Sequence, residues 1–197
     1  FHRTFFAKKA LIVQFHRVDD RLVGDPISCS RVEFAEYCDF FARYFRVVTL
    51  EALVSRLERG DDIGGLCVIT FDDGYEDNFT TAMIELERRN LPACFFIATG
   101  LVGSDHTPWW DENLPVRPTW MSWDQVREMQ RRGFEIGAHT VNHVDLGVVA
   151  GQEANDEIVG SKRRLEEETQ RAVDFFSYPY GRIDQLTEDN RVRVEQA

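Results

Sequence analysis

The chain has 197 residues, of which 43% are hydrophobic, 12% aromatic and 29% charged, and its formal net charge at pH 7 is −11. This length is enough for one well-buried core, so residues 1–197 are expected to form a single domain. The negative charge argues against a nucleic-acid partner and favours a neutral or cationic polymer over a polyanion. No apolar run is long enough to cross a membrane, so no transmembrane segment is expected.

Strand-like apolar segments alternate with amphipathic helical segments along the chain. The predicted strands are residues 10–15, 46–48, 66–71, 93–98, 134–138 and 173–177. The predicted helices start at Ser30, Thr49 and Ser122 or cover residues 77–90 and 155–171. Continuous apolar strands that alternate with helices indicate a parallel sheet covered by helices, but the periodicity does not distinguish a closed barrel from an open sheet.

Local signals mark the helix ends. Ser30 with Glu33 and Ser122 with Gln125 have the spacing of capping boxes, and Gly60 is placed to end the helix that Thr49 begins. The buried side of the helix that starts at Ser30 is expected to contain Phe34, Tyr37, Cys38, Phe41 and Phe45.

Four cysteines show no metal-binding pattern. Cys67 and Cys94 lie inside apolar strand-like runs and are expected to be buried core thiols. Cys29 and Cys38 could pair, although their spacing does not force them together.

A long irregular connection covers residues 103–120 and contains Pro108-Trp109-Trp110. Loops of this length usually bind or cover something, but an apolar flap packed on the core is an equal alternative. Residues 188–197 look like a helix with no strand after it, so we expect the polypeptide to continue.

Two motifs at strand ends carry the chemistry. The strand at 66–71 runs into Asp72-Asp73-Gly74, and the strand at 134–138 runs into His139, with His143 four positions later. This spacing places both imidazoles on one side of a helical turn, where they can share a metal ion. One carboxylate with two histidines leaves metal positions open, and the second aspartate can then act as a base on a water molecule.

These segments resemble the polysaccharide deacetylase family. The resemblance rests on Thr70-Phe71-Asp72-Asp73-Gly74, His139-Thr140-Val141-Asn142-His143 and Ser177-Tyr178-Pro179-Tyr180-Gly181, and it spans essentially the whole chain. It implies an α/β fold, an irregular (β/α) barrel of parallel strands with outer helices, whose C-terminal part is missing here. It also implies Asp73, His139 and His143 as metal ligands, Asp72 as the catalytic base and the Tyr180 backbone N–H as an oxyanion donor.

The chain departs from the family pattern at two points. Ser177 stands where the family usually has an arginine that orients the base, and Arg17 or Arg182 are candidates to replace it. The family's Leu-x-His motif, which supplies the general acid, has no counterpart before Ala197. His16, at the end of the first strand, is a candidate for that task, with a structural hydrogen bond as the alternative.

The sequence therefore predicts a metal-dependent hydrolase that removes N-acetyl groups from an amino-sugar polysaccharide. The expected cofactor is one divalent ion, zinc first, with Co, Ni or Mn also compatible with nitrogen and oxygen ligands. The expected substrate-binding residues are Trp109, Trp110, Pro179 and Tyr180. Two alternatives stay open, namely a non-catalytic glycan-binding module and a metal amidohydrolase that acts on a small amide. The resemblance favours an extracytoplasmic or cell-envelope location.

Overall fold

A parallel sheet forms the centre of the molecule in the computed structural model, which describes residues 8–197 apart from the side chain of Asp184. The strands are β1 Leu11–Phe15, β2 Arg17–Val18, β3 Ser28–Cys29, β4 Arg46–Val47, β5 Leu66–Phe71, β6 Cys94–Ile97 and β7 Glu135–Ala138. Five of these described strands pair in the order β1-β5-β6-β7, with β4 also beside β5, and every pair is parallel. A separate parallel pair joins β2 to β3. The predicted parallel sheet is confirmed.

The register of β1 against β5 positions the functional end of the sheet. Phe15 pairs with Phe71 at the last rung of this ladder, so the two strands end side by side. The backbone N–H of Asp72 then donates to the carbonyl of Phe15 over 3.0 Å. The carboxyl ends of β1 and β5 therefore meet where the first aspartate leaves the sheet.

Six α-helices lie within residues 8–197 and follow the expected alternation with the strands. Both capping boxes are present, at Ser30 and Ser122, and Gly60 ends a helix in the left-handed conformation, as predicted. The helices are α1 Arg31–Tyr44, α2 Leu50–Arg59, α3 Met83–Glu87, α4 Trp123–Arg131, α5 Gly151–Thr169 and α6 Glu188–Gln196.

The main core lies between the sheet and the helices and is rich in aromatic rings. Phe71 and Phe95, on neighbouring strands, stack with their centroids 4.8 Å apart, and Phe34 of α1 meets Phe71 edge to face. All three rings are fully buried. Burial of a phenylalanine side chain contributes about 1.5–3 kcal/mol, so these rings hold α1 against the strands that carry the site.

Several predicted boundaries were wrong. The helix expected over 77–90 begins with a π-helical segment, Asn78–Ala82, and its α-helical part ends at Glu87. The helix expected over 155–171 starts earlier, at Gly151. The strand expected at 173–177 is reduced to one bridge, Ala138 with Phe176, because only two backbone hydrogen bonds join this segment to β7.

The buried side of α1 is narrower than the sequence predicted. Phe34, Cys38 and Phe41 are buried, but Tyr37 is 45% exposed and Phe45 is only partly buried. Tyr37 lies at the margin of the buried stripe, where its ring contacts Phe15 at a centroid distance of 6.0 Å. A tyrosine at such a margin keeps its hydroxyl in water while its ring packs.

The four cysteines are free thiols. Cys67 and Cys94 are buried in the core, as predicted. Cys29 and Cys38 do not pair, and the Cys29 Sγ atom instead faces the carbonyl of Arg17 at 3.6 Å. Burial raises the pKa of both Cys29 and Cys38 to about 12, so neither thiol is set up to react.

Within residues 8–197, no helix combines the length and the apolar character that a membrane span requires.

Candidate metal and catalytic site

The carboxyl ends of β5 and β7 bring Asp73, His139 and His143 together. The Asp73 Oδ1 atom lies 3.3 Å from Nε2 of His139 and 3.2 Å from Nε2 of His143. All three side chains are at most 8% exposed. The strand-end aspartate and the two histidines therefore converge, although residues 139–143 form an irregular turn rather than the helical turn that the spacing of the histidines indicated.

The three side chains fit a metal ion. Asp73 Oδ1 is buried and has no hydrogen-bond partner in the described chain. A bound cation would compensate the negative charge of this buried oxygen. The Nδ1 atom of His139 lies 2.8 Å from the carbonyl oxygen of Ser177, which can only accept, so Nδ1 carries the proton and Nε2 keeps its lone pair. Ligand-atom separations near 3.3 Å suit one ion with bonds of about 2.0–2.2 Å.

The electrostatics of the group favour a cation between these atoms. Burial opposes ionisation of Asp73, but the two imidazoles that face its carboxylate outweigh this effect and hold the pKa of the carboxyl well below its usual range. Burial also opposes charge on His139, but the carboxylates of Asp72 and Asp73 raise the pKa of that imidazole. A proton and a metal ion would therefore compete for the same place.

The backbone around the group is held in an uncommon conformation. Among the described residues, six non-glycine residues have positive φ, and four of these belong to the site: Asp73, Thr140, His143 and Tyr180. Such conformations cost of order 1–3 kcal/mol each and persist only where the surroundings impose them. The strain is concentrated where the side chains must leave the strands and turn toward one another.

A buried carboxylate on α5 holds the turn that carries both histidines. Glu157 accepts hydrogen bonds from the backbone N–H groups of Val141 and Asn142 at 2.9 and 2.8 Å, and from the Asn142 side chain at 2.6 Å. On the other side, the N–H of Gly100 donates to the Val141 carbonyl over 2.7 Å. The histidine turn is therefore clamped between α5 and the end of β6.

Asp72 has its own two partners. Its Oδ2 atom accepts a hydrogen bond from the Gln14 amide of β1 and another from the Ser177 hydroxyl at 3.1 Å. Oδ2 is also 4.0 Å from Nε2 of His139, farther than the Asp73 oxygen. Gln14 and Ser177 thus bind the Asp72 carboxylate where an arginine was expected, whereas Arg17 binds Asp25 and Asp111 instead.

Sequence reasoning missed Gln14, although a signal was present. Gln14 is the polar residue inside the apolar run of β1, and it pairs with Thr70 of β5. Paired residues of neighbouring strands point to the same face, and Asp72 lies two residues beyond Thr70 on that face. A glutamine at this register position can therefore reach the aspartate.

An aromatic wall stands beside the histidines. The ring centroid of Trp110 lies 4.6 Å from that of His143, and the Tyr180 ring lies 4.8 Å from the same imidazole. These three residues, with the 67% exposed Trp109, line an open groove of about 570 Å³. The two alternatives for the loop at 103–120 were a loop that binds or covers something and an apolar flap packed on the core. Each applies to one part of the loop, because Trp120 packs into the core while Trp109 faces solvent.

For two further candidate residues, Pro179 and His16, the structure shows backbone hydrogen bonds. Pro179 is buried beneath the turn, where its carbonyl accepts from the Gly181 N–H over 2.8 Å. The carbonyl of His16 accepts from the Asn78 side chain, but its imidazole makes no hydrogen bond or ring contact within the part of the chain that the structure describes. The catalytic role of His16 stays a prediction.

Known proteins resemble this chain in sequence and in fold. The Bacillus subtilis (strain 168) protein named "Putative polysaccharide deacetylase YxkH" is 30% identical over 122 residues, which is 61% of this chain and 39% of that protein. The structure of IcaB from Ammonifex degensii matches 95% of this chain and 79% of its own, with a TM-score of 0.75 and 25% identity. The Streptococcus pyogenes deacetylase PplD, solved in complex with acetate, matches 95% of this chain and 78% of its own, with a TM-score of 0.77 and 19% identity.

The likeness to these solved structures confirms the expected α/β fold, an irregular (β/α) barrel of parallel strands with outer helices. The chain spans only 39% of the length of the curated relative that it matches. The sequence model of the family described as Polysaccharide deacetylase matches residues 60–195, well over half of the chain and all three motifs. The chain therefore belongs to the polysaccharide deacetylase family.

Proposed function

We propose that this chain is a metal-dependent hydrolase that removes N-acetyl groups from an amino-sugar polysaccharide. The observation that carries the proposal is that the two adjacent aspartates have different partners. Asp73 faces both imidazoles at 3.2–3.3 Å, while Asp72 is held by Gln14 and Ser177 beside them. A module that only bound glycans would have no need of an oriented carboxylate next to a metal site.

In this proposal Asp73, His139 and His143 hold one divalent ion, with zinc as the first candidate. Such an ion would supply Lewis-acid chemistry, polarising the acetyl carbonyl and making a nearby water more acidic. Asp72 takes the proton of the attacking water, and the hydrogen bonds from Gln14 and Ser177 keep its carboxylate in one orientation.

The Tyr180 backbone N–H is proposed to stabilise the oxyanion. Its positive φ of 64° turns this peptide group out of the regular backbone, and no protein acceptor pairs with the N–H within residues 8–197. One preorganised donor of this kind is typically worth about 3 kcal/mol in the transition state. His16, next to the strand end that contacts Asp72, stays the candidate that protonates the leaving amine.

The proposed substrate is a neutral, N-acetylated glycan. The groove beside the histidines presents Trp109, Trp110 and Tyr180, and flat aromatic faces are well suited to sugar rings. The net charge of −11 disfavours polyanions and is compatible with a product that gains amines. A substrate of this class would place the protein outside the cytoplasm or at the cell envelope.

The test is hydrolysis of N-acetylglucosamine oligomers of increasing length by the chain, first stripped of metal and then reloaded with zinc. We expect acetate release that requires metal and rises with oligomer length, because longer chains fill more of the groove. Metal-dependent activity confined to a small amide would favour the amidohydrolase alternative. Glycan binding without acetate release, in the metal-loaded protein, would favour the non-catalytic module.

A further inference from the structure

The long loop at 103–120 is fastened by a buried ion pair outside the metal group. Asp111 of this loop is 1% exposed and accepts a hydrogen bond from the guanidinium of Arg17, which is equally buried at the start of β2. Arg17 also donates to Asp25 over 2.7 Å and to the Ser28 hydroxyl over 2.9 Å. A buried charge pair with this many partners is costly to break, so it fixes the loop at one point.

From this anchor a chain of hydrogen bonds runs to the wall of the groove. The Tyr75 hydroxyl lies 2.8 Å from Oδ2 of Asp111, and Nε1 of Trp110 lies 2.9 Å from the same hydroxyl. An indole N–H can only donate, so the Tyr75 oxygen must accept from Trp110 and give its own proton to Asp111. A hydroxyl that donates to a carboxylate is a stronger acceptor, so each bond strengthens the next.

The result is that Trp110 is fixed while its neighbour is not. The Trp110 ring is held 4.6 Å from His143 and 6.3 Å from Tyr180. Trp109, one residue earlier, is 67% exposed and has an aromatic contact only with Trp110 among the described residues. Adjacent tryptophans of one loop thus differ in exposure and in contacts, and the Tyr75 hydroxyl is the hydrogen-bond partner of Trp110.

We propose that Tyr75 and Asp111, anchored by Arg17, are positioning residues that fix the Trp110 indole against His143 as the wall on which a sugar ring of the substrate packs. This inference rests on the proposed function, since it assigns the specificity for a sugar ring to this wall. Loss of the tether would leave the metal group intact and let the indole turn away from the groove. A small acetyl ester, which has no sugar ring to place, would depend less on the tether than a glycan does.

The test compares the wild-type chain with Tyr75→Phe, which removes the hydroxyl and keeps the ring that stacks on Trp120 at 4.4 Å. Two kcat/KM values are measured on each sample, one for an N-acetylglucosamine oligomer and one for an aryl acetate. Their ratio does not depend on the fraction of folded protein. We expect the ratio to fall about tenfold, mainly through a higher KM for the oligomer, as when one buried hydrogen bond is lost.

A second readout needs no activity. Solvent exchange of the Trp110 indole N–H, assigned by its absence in Trp110→Phe, should be slow in the wild type and at least about tenfold faster in Tyr75→Phe. The Trp123 indole, which lies under the Arg164 guanidinium on the outer helices, is the internal control and should not change.

The outcomes separate the two proposals. An unchanged substrate ratio together with unchanged indole exchange overturns the positioning role. Faster exchange in a chain that hydrolyses neither substrate keeps the tether but refutes the proposed function. If Tyr75→Phe does not fold, Trp110→Phe tests the same hydrogen bond from the donor side, because phenylalanine keeps an aromatic ring and lacks the indole N–H. A ratio of the two kcat/KM values equal to that of the wild type would then contradict the proposal.

Discussion

The candidate metal ligands and the loop at 103–120 are brought to the same groove by different kinds of contact. Asp73 and His139 follow directly from β5 and β7, so the parallel sheet brings them together. Trp110 belongs to a segment without regular structure, and its position depends on Asp111 and on partners 94 and 36 residues away in the chain. Backbone pairing thus places the proposed metal ligands, whereas a few buried side chains place the aromatic wall that we propose selects the substrate.

The largest effect on activity is expected when the proposed catalytic base, Asp72, is replaced. Asp72→Asn keeps the shape of the side chain but cannot accept the proton of the attacking water, so kcat should fall by about 10²–10⁴-fold. Bound metal should stay, because Asp72 is not one of the three converging ligands. Asp124→Asn, at a carboxylate that is 91% exposed, is the matched control and should behave like the wild type. Activity retained in Asp72→Asn would show that the base is another residue.

A smaller effect should follow when the orientation of the base is disturbed. Gln14→Ala removes one of the two hydrogen bonds to Asp72 and should lower kcat about 10- to 100-fold, with little change in KM. Ile12→Ala, at a half-exposed position on the same face of β1, is the control and should leave kcat unchanged. An equal loss of activity in both variants would mean that the strand was disturbed rather than the carboxylate.

The smallest effect concerns the backbone that carries the histidines. A Cβ atom at Gly100 would lie 2.8 Å from both the Val141 carbonyl and the Asn142 side chain, so Gly100→Ala must displace the histidine turn. We expect a loss of about 1–3 kcal/mol in the free energy of unfolding, as for other overpacked sites. Thermal or urea unfolding measures it.

Gly160→Ala should change the free energy of unfolding in the opposite direction and is the control for that measurement. Its added Cβ would approach only the Val141 side chain, at 3.4 Å, and Gly160 lies inside α5. Replacing a helical glycine by alanine should stabilise the fold by about 0.5–1 kcal/mol. If Gly100→Ala proves as stable as Gly160→Ala, the turn is less tightly clamped than its contacts suggest.

The same contrast explains what the sequence could predict. Asp72 and Asp73 are adjacent and His139 and His143 are four residues apart, so short motifs at strand ends were enough to find them. The capping boxes were equally local. Gln14, Glu157 and Asp111 were missed because their partners lie 58, 15 and 94 residues away and depend on how the elements pack. The π-helical start at Asn78–Ala82 has no comparable local signal.

We propose that Asp73, His139 and His143, without Asp72, hold one divalent ion. The decisive measurement is the amount of zinc bound by the wild type and by Asp73→Asn, His139→Ala, His143→Ala and Asp72→Asn. We predict one ion per chain in the wild type and in Asp72→Asn, and strongly reduced binding in the other three. Undiminished binding in both histidine variants would contradict the site, and metal lost in Asp72→Asn but kept in Asp73→Asn would mean that the two aspartates have the opposite roles.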